Sequence, residues 1–460
     1  MSINKREQLL QENPWKLMLS LSVPAIIGMV VIGLYNLMDA VYVGQMVSSN
    51  AMAAVSVAYP FTLLNTGIAT LLGVGSASVL SRAIGKKDQK TIDRIMGNMI
   101  MLNIILSVVI TFIGMIFTRQ ILLLSGAEGE ILELAVRYLR IIYAGSLFVN
   151  FAQSANMIMR GEGLLKRAMF ISGGAAALNI ILDPIFIILM KPIGLGIEGA
   201  AYATVLTQFF QAAITLWYYL KKSNTVKINN IRIEKELLSE IFGVGLSAML
   251  MQVMMLVQQT VLYYTASRYG GSDWQIILGA ILRVSAFSFI PLWGLSQGYQ
   301  PAVGTNYGAK NYQRVKNITK VFSISATLLA LIFYLPMMIA PKAMLSLFIT
   351  DPRIIAEGAS DFRIFFISYI VLGFWVVVLT MMQALGRASK ASLLVILRQI
   401  AIYIPLAVII PRINNMGVHG IFVAPLITDA IVFVVVIAML CSEFIKMDKL
   451  HNVNTYYSKI

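Results

Sequence analysis

Charged side chains are scarce in this sequence. Lys, Arg, Asp and Glu together make up 12% of the 460 residues, whereas an average soluble domain contains roughly 25%. A water-facing surface cannot be built from so few charges, because the apolar remainder would be left in contact with solvent. The composition therefore excludes an ordinary soluble protein.

Cysteine and histidine are scarcer still. The single Cys441 excludes an internal disulfide and a cysteine cluster for a metal, and His419 and His451 are weak ligand candidates. The glycine-rich stretch 73–78 lacks the Gly-Lys-Ser/Thr ending of a phosphate loop, so it is interpreted as small-residue helix packing. We expect no cofactor and no enzymatic activity. Because no nucleotide-binding loop is present either, an ion gradient is the expected source of energy for any work that the protein does.

Long apolar stretches fill most of the chain, and 58% of its residues are hydrophobic. A helical crossing of a bilayer needs about 20 apolar residues, and stretches such as 100–118 lack the alternation of a membrane β-barrel. Residues 1–11 show no signal peptide. We predict an all-α polytopic membrane protein of twelve spans, near 15–43, 53–80, 95–117, 131–158, 167–190, 198–220, 238–266, 276–304, 318–340, 356–384, 391–411 and 418–442.

Positive charge is unevenly distributed across these spans. The formal net charge is +15, and 26 of the 36 lysines and arginines fall on the side that carries both termini. The opposite side has nine: Arg119, Arg137, Arg140, Lys191, Arg268, Lys342, Arg353, Arg363 and Arg412. Because basic residues stay in the cytoplasm, we expect an inner (plasma) membrane protein with both termini inside and no role in nucleic-acid binding.

The longest polar segment between spans separates two similar halves. We predict an N-lobe at 1–220, a cytoplasmic linker at 221–237, a C-lobe at 238–442 and a cytoplasmic tail at 443–460. Three segments recur in the same order: 83–87 as 306–310, 160–163 as 385–388, and 196–199 as 417–420. A parallel repeat of six-span halves is typical of transporters that bind substrate between or within the halves.

Two carboxylates lie inside predicted spans of the first half. Asp39 follows Tyr35 by one helical turn and Asn36 by three residues, so the three share one face. Asp183 follows Asn179 by one turn and precedes Pro184. Charges inside a bilayer are costly and mark functional sites by default.

Two roles fit such a group of oxygen atoms. A carboxyl group away from water can take up and release a proton, and the same hard oxygen atoms suit sodium, at Asp39, Asn179 and Asp183. The plain structural alternative is that Asp39 faces an aqueous vestibule and Asp183 caps a broken helix.

Three charged residues occupy spans of the second half. Arg398 is placed near the cytoplasmic end of its span, where a long side chain can reach the interface. Arg283 lies deeper, and an ion pair between Arg283 and Asp429 is as good an interpretation as a substrate role.

The sequence resembles the multidrug and toxic compound extrusion (MATE) transporters over nearly its whole length. The motifs that carry the resemblance are Pro24 placed fifteen residues before Asp39, Asn156-x-x-x-Arg160-Gly161-x-Gly163, Asn179-x-x-x-Asp183-Pro184, and Gly199-Ala200-Ala201-x-Ala203-Thr204. Spans seven and ten carry Gln258, Gln259 and Gln383 where NorM-like members have acidic residues. The chain is therefore more similar to the DinF-like and MepA-like branches.

The resemblance implies a V-shaped pair of six-helix bundles that exports drugs in exchange for protons or sodium. It implies a cation site made by Asp39, Asn179, Asp183 and Thr204. Tyr35, Asn36, Tyr138 and Asn156 would line the substrate chamber, and Pro24 would be a bend that responds to the cation.

The expected function is therefore proton- or sodium-coupled export of hydrophobic or cationic compounds by a monomer in contact with membrane lipids. One alternative keeps the fold but transports a lipid-linked saccharide, which would need a strongly cationic cavity. Another, from a different class, is a non-transporting membrane scaffold, against which the duplicated halves argue.

Overall fold

The computed structural model describes residues 5–125 and 127–457, except for the side chains at 36, 37, 40, 49, 124, 414, 415 and 453–457. The first half consists of α1 (Lys5–Gln11), α2 (Pro14–Tyr42), a π-helical segment (Val43–Val47), α3 (Ser49–Lys86), α4 (Gln89–Leu124), α5 (Gly129–Ala144), α6 (Ser146–Gly161), α7 (Leu165–Met190), a 3₁₀ turn (Lys191–Ile193) and α8 (Gly196–Lys221).

The second half consists of α9 (Lys235–Gly308), α10 (Tyr312–Ile339), α11 (Pro341–Ser346), α12 (Pro352–Phe366), α13 (Tyr369–Ala384), α14 (Ala388–Ile396), a second π-helical segment (Leu397–Ala401), α15 (Tyr403–Ile409), a 3₁₀ stretch (Ile410–Asn415) and α16 (His419–Tyr457). These ranges hold helices and turns and no strand, which confirms the all-α fold class.

The helices account for every expected span. Within the described part of the chain, nine helical stretches are long and apolar enough to cross a membrane. One of them, α9, contains two expected spans and is interrupted at Gly271, whose φ of 71° breaks the helix. The expected spans 131–158 and 198–220 correspond to the broken pair α5–α6 and to α8.

The two halves repeat each other at one constant separation along the chain. Lys87 and Lys310, each with φ near 59°, end α3 and the long α9. The next residues, Asp88 and Asn311, then cap the following helices with their side-chain oxygen atoms. Left-handed glycines recur at the same separation, at 163 and 386 and at 194 and 417. The repeat seen in the sequence is therefore present in the backbone turns.

The turn geometry also corrects the register of two expected sequence pairs. The block 160–163 aligned with 385–388 is two residues out of register, since Gly163 (φ 79°) matches Gly386 (φ 73°). The block 196–199, which was aligned with 417–420, is likewise two residues out of register, since Gly194 matches Gly417. Single-residue identities had suggested the pairing, whereas the left-handed turns fix it physically.

Contacts divide the chain into two compact units. One unit is Ile27–Gln252, and the other combines Met1–Ile26 with Val253–Ile460. These bounds differ from the expected lobes 1–220 and 238–442, because the first division falls inside α2 and the second inside α9. The lobe, linker and tail boundaries stay a prediction.

Helices of the unit Ile27–Gln252 approach each other most closely at glycines. A side chain at Gly75 of α3 would collide with the carbonyl oxygen of Ile241, and one at Gly245 would collide with that of Leu71. The stretch 73–78 thus packs backbone against backbone, as its small residues predicted. Nearby, the buried Asn150 amide donates to Asn65 Oδ1 at 3.1 Å and to Ser107 Oγ at 3.0 Å.

We predict that Gly75→Ala and Gly245→Ala each lower the free energy of unfolding by about 1–3 kcal/mol, because an added methyl group overpacks this contact. The control is Gly174→Ala in α7, where an added Cβ would meet nothing within 4 Å. Thermal unfolding of the detergent-solubilised protein, followed by size-exclusion fluorescence, measures the change. Equal melting temperatures for all three variants would contradict the close packing.

Candidate functional site

Asp39 lies near the end of α2, just before the helix widens into the π-helical segment Val43–Val47. Its Oδ1 atom is buried and has no hydrogen-bond partner among the described residues. The π-helical segment is held in place by Lys191, whose ammonium group donates to the carbonyl oxygen of Met46 at 2.5 Å. Such segments are rare and often accompany functional residues.

Asp183 is completely buried in α7, with 0% of its surface exposed. The Asn179 amide, one turn earlier, donates to Asp183 Oδ1 at 2.9 Å, as the four-residue spacing predicted. The other oxygen, Oδ2, has no partner in the described chain. Asp183 is therefore stabilised on one side only, and its second oxygen atom remains available.

The structure brings the two carboxylates into one cluster within the unit Ile27–Gln252. Asp39 and Asp183 interact electrostatically with each other, and both act on the hydroxyl groups of Tyr35 and Tyr138. The Tyr35 hydroxyl also lies beside the Thr204 side chain of α8. With Asn179 beside Asp183, the four helices α2, α5, α7 and α8 thus supply six of the side chains expected in the site.

The cluster has the oxygen atoms that a small cation requires. Asp39 Oδ1, Asp183 Oδ2 and Asn179 Oδ1 are all buried and without a partner in the described chain. Buried polar atoms are normally paired, because leaving one unpaired costs about 1–3 kcal/mol. Two acidic groups and an amide oxygen fit a proton or a hard monovalent cation, as the chemistry of these donors requires.

Three other expected residues lie elsewhere or cannot be placed. Asn156 of α6 donates to the Ala168 carbonyl oxygen at 2.9 Å and accepts from Arg160 Nε at 3.0 Å, and these described contacts do not involve the carboxylates. Pro24 is buried inside α2, fifteen residues before Asp39. The side chain of Asn36 lies outside the described residues.

Sequence reasoning missed one polar group beside the cluster and one ion pair in the other unit. Gln208 lies one turn after Thr204 on α8, and its Oε1 is buried without a partner in the described chain; the four-residue spacing was the available signal. The suggested pair of Arg283 with Asp429 is wrong, because Asp429 binds Arg398 at 2.8 Å whereas Arg283 stacks over the Phe348 ring.

A repeated family model spans the chain. It is the MatE model, and it matches residues 24–185 and again residues 247–409. The chain belongs to the MatE family. The starts of the two matches, at 24 and 247, are as far apart as Lys87 and Lys310, so the model recurs at the separation found in the backbone turns. The chain is therefore a membrane transporter of duplicated architecture.

Similar MatE-family proteins cover nearly the whole chain. Multidrug export protein MepA of Staphylococcus aureus strain N315 is 28% identical over 434 residues, which are 93% of this chain and 94% of MepA. The MepA protein of Staphylococcus saprophyticus is 27% identical over 91% of both chains. The aligned regions cover more than nine-tenths of the chain, so the resemblance is not confined to one motif.

Solved structures of the family share the fold. An outward-facing multidrug resistance MATE transporter of the MOP superfamily superposes with a TM-score of 0.90 at 27% identity, covering 98% of this chain and 100% of that chain. A MOP superfamily transporter from Pyrococcus furiosus, described as having a binding pocket of reverse polarity, also superposes with a TM-score of 0.90 at 27% identity and covers 97% and 100%. The twelve-helix, two-lobed MATE fold is confirmed.

The acidic site is not duplicated in this MatE protein. The repeat that relates Lys87 to Lys310 also relates Asp39, Asn179 and Asp183 to positions in the second half. Those positions are occupied by Leu262, Ile402 and Leu406. The repeat therefore supplies a symmetric framework in which only the first half carries the carboxylate pair.

We predict that Asn179→Ala and Asn156→Ala fail in different ways. Asn179→Ala removes the donor to Asp183 and should lower transport about tenfold, as expected for a hydrogen bond to a charged group. Asn156→Ala removes the partner of Arg160 and should lower the free energy of unfolding by about 1–3 kcal/mol.

Transport in proteoliposomes and thermal unfolding in detergent are measured for both variants. If Asn179→Ala lost its stability and kept its transport rate, Asn179 would have only a structural role.

Proposed function

We propose that this MatE transporter exports hydrophobic or cationic drugs and toxic compounds by alternating access, driven by exchange with protons. The observation that carries the proposal is the buried cluster in which Asp39 and Asp183 interact with each other and keep one oxygen atom each unpaired. Neither acid has an evident structural role that would require a charge inside its helix. Their cost to the fold is offset if they bind a cation during transport.

The cluster couples ion and substrate through charge. Two carboxylates repel strongly where water is scarce, unless a positive charge lies between them. A proton that enters from outside supplies that charge, and a cationic substrate arriving from the cytoplasm supplies it in turn. A bound proton favours the conformation that is open to the cytoplasm, and a bound substrate favours the conformation that is open to the outside. Each cation therefore shifts the populations of the two conformations.

Pro24 gives α2 a place to bend during this change. Its ring removes one backbone hydrogen bond inside the helix and clashes with the preceding turn. Asp39 is fifteen residues further along the same helix. We infer that charge neutralisation at Asp39 changes the bend at Pro24, and that Tyr35, Tyr138 and Thr204 transmit it to the chamber.

The proton is favoured over sodium because it needs only one carboxylate oxygen, whereas a sodium ion must be held by several oxygen ligands at once. Four buried oxygen atoms without partners within the described residues, on Asp39, Asp183, Asn179 and Thr204, are available to either ion. The alternative of a lipid-linked saccharide flippase gains no support, since a pyrophosphate group would be repelled by Asp39 and Asp183.

The relatives support export of drugs. The staphylococcal proteins that match nearly the full chain are named multidrug export proteins. We infer the same task for this chain, carried out in the plasma membrane by a monomer with both termini in the cytoplasm, since most of the basic residues lie on the side of the termini.

We predict that Asp39→Asn and Asp183→Asn insert and fold normally but export an organic cation such as ethidium at least about tenfold more slowly, because the cation site is lost. The matched control is Asp273→Asn, a partly exposed acid that pairs with Arg353 at 2.9 Å. Efflux is followed in proteoliposomes under a pH gradient alone and under a sodium gradient alone.

The wild-type protein should respond to the pH gradient and not to the sodium gradient. Unchanged efflux by either acidic-site variant would sink the carboxylate mechanism, and efflux driven only by sodium would replace the proton by sodium.

A topology measurement tests the location of the loops. In a Cys441→Ser background, Lys342→Cys should react with a membrane-impermeant maleimide in intact cells, whereas Lys227→Cys should react only after lysis. The exposed Cys441 must be removed first because it would be labelled itself. The opposite labelling pattern would invert the orientation.

A further inference from the structure

A second charged site lies in the unit that contains Val253–Ile460. Arg398 belongs to the π-helical segment Leu397–Ala401, and its Nε donates to Asp429 Oδ1 at 2.8 Å while Nη2 lies 3.5 Å from Oδ2. Ser368, in the break between α12 and α13, donates to Asp429 Oδ2 at 2.7 Å. A widened helical segment, a helix break and the continuous helix α16 thus meet at one ion pair.

Both members of this pair lie well inside helical stretches that are long and apolar enough to cross a membrane. Arg398 is ten residues from the start of α14 and eleven from the end of α15, and Asp429 is ten residues from the start of α16. Ten residues of helix span about 15 Å, which is half of the ~30 Å hydrocarbon core. The position of Arg398 near the cytoplasmic end of its span stays a prediction.

The pair leaves hydrogen-bond donors unused. The Arg398 side chain retains 18% of its surface exposed, and Nη1 makes no hydrogen bond among the described residues. The guanidinium carbon lies 4.9 Å from the ring centre of Trp375. Trp375 is only 4% exposed, and its Nε1 has no partner in the described chain.

These donors are complementary to a carboxylate. A planar guanidinium donates to the oxygen atoms of an anionic group, a recognition that arginine performs better than lysine, and the indole N–H of the ring beneath it is a further donor. Trp375 Nε1 is the buried unpaired donor at this site, and leaving it unpaired is costly in an arrangement with a purely structural role. The arrangement therefore favours a ligand that accepts both hydrogen bonds.

We propose that Arg398 and Trp375 form a specificity site for the carboxylate of anionic or zwitterionic substrates. Asp429 and Ser368 hold the guanidinium in place, and Tyr403, which interacts electrostatically with Arg398 and Asp429, completes the surroundings. This inference rests on the proposed export function and adds a substrate class to it.

The site belongs to the second half alone. The internal repeat relates Arg398 and Asp429 to Ala175 and Leu206 in the first half. Neither of these apolar residues can bind a carboxylate or hold a guanidinium, so the shared framework does not require the pair.

The test compares three substrates that differ in charge. Norfloxacin is zwitterionic, its methyl ester lacks the carboxylate, and ethidium is a permanent cation. Trp375→Phe removes the N–H and keeps the aromatic face under the guanidinium. We expect it to raise KM for norfloxacin roughly 10-fold, as for one hydrogen bond to a charged group, with kcat unchanged and with the ester and ethidium unaffected.

Two further variants separate the site from general damage. Arg398→Gln combined with Asp429→Asn removes both charges together, which avoids a lone buried charge, and should raise KM for norfloxacin roughly 10- to 100-fold. Trp293→Phe is the matched control, since Trp293 stacks on Phe289 in the same unit and is not part of the site. It should leave all three substrates unchanged.

Equal effects on norfloxacin and ethidium, or no effect on norfloxacin, would overturn the carboxylate site. Binding of norfloxacin to the solubilised protein is measured in parallel, so that the inference does not depend on transport. If the wild-type protein exported none of the substrates, the proposed function would fail. An equal norfloxacin Kd for wild type and Trp375→Phe would reject the specificity site independently.

Discussion

A charge inside a lipid bilayer has to be paired, neutralised or used, because little water is present to solvate it. Asp183 shows this constraint most directly. It is wholly buried in α7, yet only one of its two oxygen atoms receives a hydrogen bond, from Asn179. The second oxygen atom and the nearby Asp39 leave the cluster short of positive charge. The proposed cation, binding and leaving during each transport cycle, would resolve this imbalance without a permanent partner.

The internal repeat makes that imbalance easier to interpret. Turns, caps and helix breaks recur at one constant separation, so both halves are built on the same backbone plan. The charged side chains do not follow the plan, since Leu262, Ile402 and Leu406 replace the first-half acid and amide groups. Duplication therefore accounts for the framework, whereas the chemistry of each half arose from its own substitutions. A symmetric structural requirement could not produce this difference.

Local spacing was enough to predict part of the site. The four-residue interval between Asn179 and Asp183 predicted their hydrogen bond, because helical geometry alone determines it. The twelve spans and the repeat followed from apolar length and recurring turns. Pairings between distant helices were harder, since an ion pair of Asp429 with Arg283 was one of two alternatives and the structure pairs Asp429 with Arg398. The π-helical segment Leu397–Ala401 and the division between the two units inside α9 have no signal in hydropathy.

Each of the two charged sites lies at a π-helical segment. One segment begins four residues after Asp39, and the other contains Arg398. A π turn inserts an extra residue into the helical ladder and rotates the faces on either side of it, at a cost in hydrogen bonding. It also frees backbone groups to rearrange without unfolding the helix. If the proposed cation and substrate sites are correct, the charged residues at these points would change partners beside the least regular backbone of the span. The irregular turns are therefore the positions where local binding can alter helix geometry.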